Sequence, residues 1–264
     1  MSPRMLRRAA RVPFLLVLWA SLMARPAQAQ RGAVNGEWRH WGGDIGSTRY
    51  SALDQIGRGN AGSLQVVWRW KAANFGPDPE TYYRATPLFA NGVLYTVAGE
   101  RRAVVAIHAG SGETLWMWRM DEGPRWVNAP RRFSGRGLAH WTDGREERII
   151  VVTPGYFMAA LDARTGRPVP SFGQNGIVDL QHGLGYEQVP LHPTEDRRLE
   201  NPGPNHTWWG IDPLEGRIGS SSPPIVVKDV IVVGNSAVQG YYPRRLKNIP
   251  GSIRGFDVRS GKQL

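Results

Sequence analysis

Beyond residue 30 the chain shows little helical periodicity. Short β-branched runs bounded by turn residues recur instead. Val93-Leu94-Tyr95-Thr96-Val97 follows Asn91-Gly92, and Ile149-Ile150-Val151-Val152-Thr153 precedes Pro154-Gly155. Val230-Ile231-Val232-Val233 precedes Gly234-Asn235. Each run predicts a buried strand with its turn. Trp68 with Trp70, and Trp116 with Trp118, sit two apart, so each pair projects from one face of an extended segment.

A repeat organises these strands. Ala106-Ile107-His108-Ala109-Gly110-Ser111-Gly112, Ala160-Leu161-Asp162-Ala163-Arg164-Thr165-Gly166 and Gly255-Phe256-Asp257-Val258-Arg259-Ser260-Gly261 share one pattern: small, apolar, Asp, two variable residues, Ser or Thr, Gly. His108 replaces Asp once. The Asp is expected to accept hydrogen bonds from the turn amides, and the Gly to supply a positive φ. Thr86-Pro87-Leu88 and Ser222-Pro223-Pro224 open two units alike. A large residue such as Trp116 follows the turn, and its indole is expected to dock on the neighbouring unit. Units that bury their faces only against neighbours build propellers or solenoids. The irregular stretch over residues 180–217, rich in Pro, Gly, His and charge, reads either as a functional loop or as an ordered surface excursion.

Composition agrees with a β-rich chain: 32 Gly, 20 Pro and 11 Trp, with no Cys. No disulfide can form, so stability must come from packing. Residues 1–29 are expected to be a secretory signal peptide. Arg4, Arg7, Arg8 and Arg11 precede an apolar run over residues 12–24, which ends at Ala27-Gln28-Ala29. That run is short for a permanent span. Arg7-Arg8 alone is a poor twin-arginine signal, and the general secretory route fits better. The formal charge falls from +11 to +6 once the five arginines of residues 1–29 are removed. The remaining basic residues are scattered, and Arg101-Arg102, Arg131-Arg132 and Arg244-Arg245 lie among Gly, Pro and aromatics. Nucleic acid is therefore not an expected partner. A hydrolase is poorly supported. His108, His140, His182, His192 and His206 lack metal-binding spacing, and Ser220-Ser221-Ser222 lacks a nucleophile elbow.

At this point the residues resemble a family, the quinoprotein alcohol and glucose dehydrogenases, which depend on pyrroloquinoline quinone (PQQ). The Asp-x-x-Thr-Gly segment with its trailing Trp resembles their tryptophan-docking motif. Trp41-Gly42-Gly43-Asp44-Ile45-Gly46-Ser47-Thr48-Arg49-Tyr50-Ser51 resembles their opening segment. The resemblance runs from about residue 38 to residue 264. It implies an all-β, eight-bladed β-propeller, of which residues 30–264 would form only about half the blades. At roughly 40–50 residues each, about four or five blades fit that length.

The resemblance also implies site residues. Arg136-Gly137-Leu138-Ala139 resembles the family segment whose arginine faces the carboxylates of the quinone, and a guanidinium fork suits a planar tricarboxylate. Read without the family, Arg136 is a surface arginine in a Gly-rich loop. Ser221 and Ser236 match hydroxyl positions that contact the cofactor, and otherwise read as turn serines. Gln239 stands where alcohol-oxidising members hold calcium with a glutamate, and its neutral oxygen offers a cation less than a carboxylate would. Arg84 stands where some members carry a cofactor-contacting glutamate, so its charge could face the quinone or be structural. These departures point toward the glucose-dehydrogenase-like branch.

The implied activity is oxidation of an alcohol or sugar hydroxyl by hydride transfer to the quinone. Electrons would then pass to a cytochrome or ubiquinone in the bacterial envelope or periplasm. By the same resemblance the catalytic aspartate, a stacking tryptophan and further metal ligands lie beyond this chain. The chain alone is therefore expected to be inactive and poorly soluble, and dye reduction by the purified product would test that. The competing reading is a non-enzymatic propeller scaffold of the envelope, which would need neither the Arg136 segment nor the paired serines.

Overall fold

The computed structural model describes residues 32–72, 75, 80, 83–184, 218–237 and 251–264. Two complete antiparallel meanders occupy the middle of the chain. The first sheet runs β1 (Leu88–Ala90), β2 (Val93–Ala98), β3 (Ala103–His108), β4 (Thr114–Trp118). The second runs β5 (Ala139–Thr142), β6 (Glu147–Val152), β7 (Phe157–Asp162), β8 (Ile177–Asp179). A third sheet joins β10 (Ile225–Val227), β11 (Val230–Gly234) and β13 (Ile253–Asp257). The short strands β9 (Ile218–Gly219) and β12 (Ser236–Ala237) pair beside it. One helical turn, α1 (Pro124–Val127), links the first two sheets. No helix among the described residues is long and apolar enough to cross a membrane. The signal-peptide segment, Gln239 and residues 185–217 lie outside the described residues.

The apolar runs have a simple cause. In β3, Val104 and Ala106 face the second sheet, while Val105 and Ile107 face Trp68, Trp70 and Phe75. In β6, Ile149 and Val151 face the first sheet, and Ile150 and Val152 face the third, packing with Met158, Ile231 and Phe256. Both faces of these strands are buried, so period-two alternation is erased and a continuous apolar run replaces it.

The repeated turns form as the side chains require. Asp162 Oδ1 accepts from Thr165 N at 2.8 Å and from Thr165 Oγ1 at 2.7 Å. Asp257 Oδ1 does the same with Ser260, at 2.7 and 2.6 Å. At the exceptional position, His108 Nδ1 accepts from Ser111 N at 3.2 Å, so the imidazole reproduces the carboxylate's contact. Gly112, Gly166 and Gly261 have φ of 75, 71 and 71°.

These glycines are also the docking points. A Cβ on Gly112 would lie 2.7 Å from the Trp68 ring, and one on Gly166 would lie 2.4 Å from Trp116. Each indole then donates to the carbonyl three residues before its glycine: Trp68 Nε1 to Ala109 O and Trp116 Nε1 to Ala163 O, both at 2.9 Å. The third interface departs from the expectation of indole docking. Val178 and Phe172 face Gly261. The corresponding carbonyl, that of Val258, accepts from Arg148 Nη1 at 2.9 Å. The guanidinium, whose side chain is 3% exposed, takes the place of the indole N–H.

Trp68 and Trp70 lie in a segment that joins no sheet among the described residues.

Candidate functional site

The opening residues of successive sheets are linked through their main chains. Thr86 N donates to Arg136 O at 3.1 Å, and Arg136 N donates to Ser221 O at 2.9 Å. The first, second and third sheets therefore meet side by side at one end. Gly137 allows this approach: its φ is 138°, and a Cβ there would stand 3.1 Å from the Thr86 carbonyl oxygen.

A cavity of about 780 Å³ opens at this junction, within the size range of small-molecule sites. Arg84, Arg131, Arg132 and Arg136 line it together with Ser220, Ser221, Ser222 and Ser236. The four sequence candidates that fall on described residues, Arg84, Arg136, Ser221 and Ser236, thus reach one cavity. Asn235 adds an amide, and no carboxylate lines the cavity among the described residues. Arg136 is exposed, so its guanidinium is accessible. Ser236 Oγ donates to Gly219 O at 3.0 Å, which leaves its lone pairs for an incoming donor. Arg132 pairs with Glu100 at 3.3 Å and lies 5.5 Å from the Trp126 ring centre.

Such a lining suits a planar polyanion. Guanidinium forks match carboxylates in geometry, and hydroxyls and an amide can serve its carbonyl and ring positions. A cation would have to be held by other groups. No cluster of three or more His, Cys, Asp or Glu is placed to bind a metal among the described residues.

Sequence reading missed two features. Arg131-Arg132 looked like scattered surface charge, yet it shares the loop that carries Arg136. Its one signal was proximity to the Arg136-Gly137 segment. The other feature is Arg102, which is 3% exposed and donates to four main-chain carbonyls around the cavity. Burial lowers its pKa to about 10, with Glu122 and Glu80 opposing from a distance, so it stays charged at neutral pH.

Residues 38–264 match the β-propeller domain of PQQ-type glucose/ethanol/alcohol dehydrogenases. The large subunit of a glycerol dehydrogenase from Gluconobacter thailandicus is 28% identical over 251 residues, covering 90% of this chain and 30% of its own length. A 1-butanol dehydrogenase (cytochrome c) from Thauera butanivorans is 34% identical over 149 residues, covering 56% of this chain and 20% of its own. The crystal structure of the quinohemoprotein alcohol dehydrogenase from Comamonas testosteroni superposes with a TM-score of 0.62 at 20% identity, covering 89% of this chain and 27% of that one, and shares the fold. The chain spans about 30% of the length of the glycerol dehydrogenase it matches.

Proposed function

This chain belongs to the PQQ-type glucose/ethanol/alcohol dehydrogenase β-propeller family, and from that premise we propose that it supplies part of the lining of a quinone site. The dehydrogenase would oxidise an alcohol or sugar hydroxyl. The observation that carries the reading is the convergence of Arg84, Arg136, Ser221 and Ser236 on one cavity that no carboxylate lines among the described residues. When bound, the quinone supplies the hydride-accepting carbon. This chain's residues bind and orient it. Arg136 offers a fork to a ring carboxylate, and Arg131 and Arg132 add positive potential beside it. Ser221 and Ser236 present hydroxyls from the same cavity lining. Any calcium ion beside the quinone would meet at Gln239 a neutral amide oxygen in place of a carboxylate. A cytochrome or ubiquinone is the proposed electron acceptor. Export through residues 1–29 would place the protein in the periplasm or envelope.

Titration of the 264-residue chain with PQQ tests the reading. Saturable quenching of tryptophan fluorescence, with a matching change in quinone absorbance, is expected. Absence of saturation up to millimolar quinone would remove the proposal and leave a propeller of another role.

A further inference from the structure

We propose that Arg102 is the positioning residue of this cavity, a buried clamp that sets the spacing between its arginine wall and its serine wall; the link to the quinone rests on the function proposed above. Arg102 closes the β2–β3 hairpin, where its N–H donates to Gly99 O at 3.1 Å. Its φ is 52°, a left-handed conformation that non-glycine residues rarely adopt. From there the guanidinium points in two directions. Nε donates to Phe133 O at 3.1 Å and Nη2 to Arg131 O at 2.8 Å, both in the loop that carries Arg132 and Arg136. Nη1 donates to Val152 O and to Ser220 O, each at 2.7 Å. Val152 ends β6 of the second sheet, and Ser220 immediately precedes Ser221. One rigid planar group thus joins the first sheet, the second sheet, the arginine loop and the serine segment.

The bonds to Val152 O and Ser220 O are buried, so water is no ready substitute for the guanidinium there, while those to Phe133 O and Arg131 O are part-buried. Glycine at 135 keeps the loop close, because a Cβ there would lie 3.1 Å from the guanidinium carbon. Phe133 N donates to Glu100 O at 2.8 Å, so the same hairpin grips the loop a second time. No carboxylate is in salt-bridge contact with Arg102 among the described residues; Glu122 and Glu80 act only at longer range. Its charge therefore adds to the potential that an anion meets in the cavity. Lysine could keep the charge, but its point-like ammonium cannot span both directions.

The test uses the full chain with Arg102→Met and Arg102→Lys, each checked for folding by circular dichroism. Two readouts are taken: amide hydrogen exchange without ligand, and PQQ affinity with the absorbance spectrum of the bound quinone. Exchange over residues 131–136 and 220–222 is expected to rise about tenfold or more in Arg102→Met, while β7 is unchanged. The PQQ Kd is expected to weaken about tenfold or more, with Arg102→Lys in between. If Arg102→Met fails to fold, Arg102→Lys alone decides by the same two readouts. Folded variants with unchanged exchange at both segments, or with unchanged Kd and bound spectrum, overturn the clamp. If the wild-type chain binds no PQQ but exchange rises as stated, the clamp stands and the quinone reading falls.

Discussion

The amide of Arg136 donates to the carbonyl of Ser221 at 2.9 Å, so the charged wall and the hydroxyl wall of the cavity share a main-chain hydrogen bond. Side chains at these two positions can therefore be changed while the backbone contact persists.

Arg136→Ala is expected to weaken PQQ binding by about 2 kcal/mol, roughly 30-fold, the value of one charge-assisted contact. The thermal midpoint should stay near that of wild type, because the side chain is exposed. Fluorescence titration beside a melting curve separates the two effects. Equal affinity in both proteins would exclude Arg136 from the site.

Two substitutions probe indole docking. Trp116→Phe removes the donor to Ala163 O and is expected to cost about 1 kcal/mol in urea unfolding. Gly166→Ala should cost more, about 2 kcal/mol, because its Cβ would meet Trp116 at 2.4 Å and its φ is 71°. A reversed order would show that the hydrogen bond outweighs the stacking surface.

Arg148→Met tests the interface where a guanidinium replaces the indole. Arg148 Nη1 also donates to Arg259 O at 2.9 Å, so two carbonyls lose their donor at once. A loss of about 2 kcal/mol or more is expected by denaturant titration. A loss below that of Trp116→Phe would mean that Val178 and Phe172 hold this interface without help.

Acid should loosen the outer turns. The Glu146 amide, followed by the Arg145 amide and the Arg259 guanidinium, lowers the Asp143 carboxyl from 3.8 to about 2. A carboxyl depressed in the folded state stabilises above its unfolded value, and that contribution disappears as pH falls through its folded value. Hydrogen bonds from Ser260 lower Asp257 in the same direction. Unfolding midpoints should therefore drop as pH falls from about 4 toward 2, with a shallower drop in Asp143→Asn. Identical pH slopes for the two proteins would contradict this assignment.

The β-branched strand runs were the most legible part of the sequence, whether buried on both faces as in β6 or at alternate residues as in β11. The run at residues 93–97 lies within β2, and that at 230–233 lies within β11. Residues 149–153 overlap β6 up to Val152. Turn chemistry was legible because it is local: Asp, Ser or Thr, and Gly satisfy one another within five residues. The third interface was not. The position four residues after Gly166, where Trp116 stands relative to Gly112, holds Pro170, and the chain forms an extra turn before β8. Only the fold brings Val178, Phe172 and Arg148 to Gly261 and Val258. Arg102 was hidden for a similar reason. Beside Arg101 it reads as an exposed basic pair, and its burial depends on a loop thirty residues onward and a segment more than a hundred residues onward.

The main-chain links from Thr86 to Arg136 and from Arg136 to Ser221 carry a consequence for diversification. They are made by peptide groups, which every residue except proline can supply. Mutation can exchange the groups that project from these positions while the frame holding them stays put. A lineage can in this way revise which molecule it accepts without rebuilding its architecture.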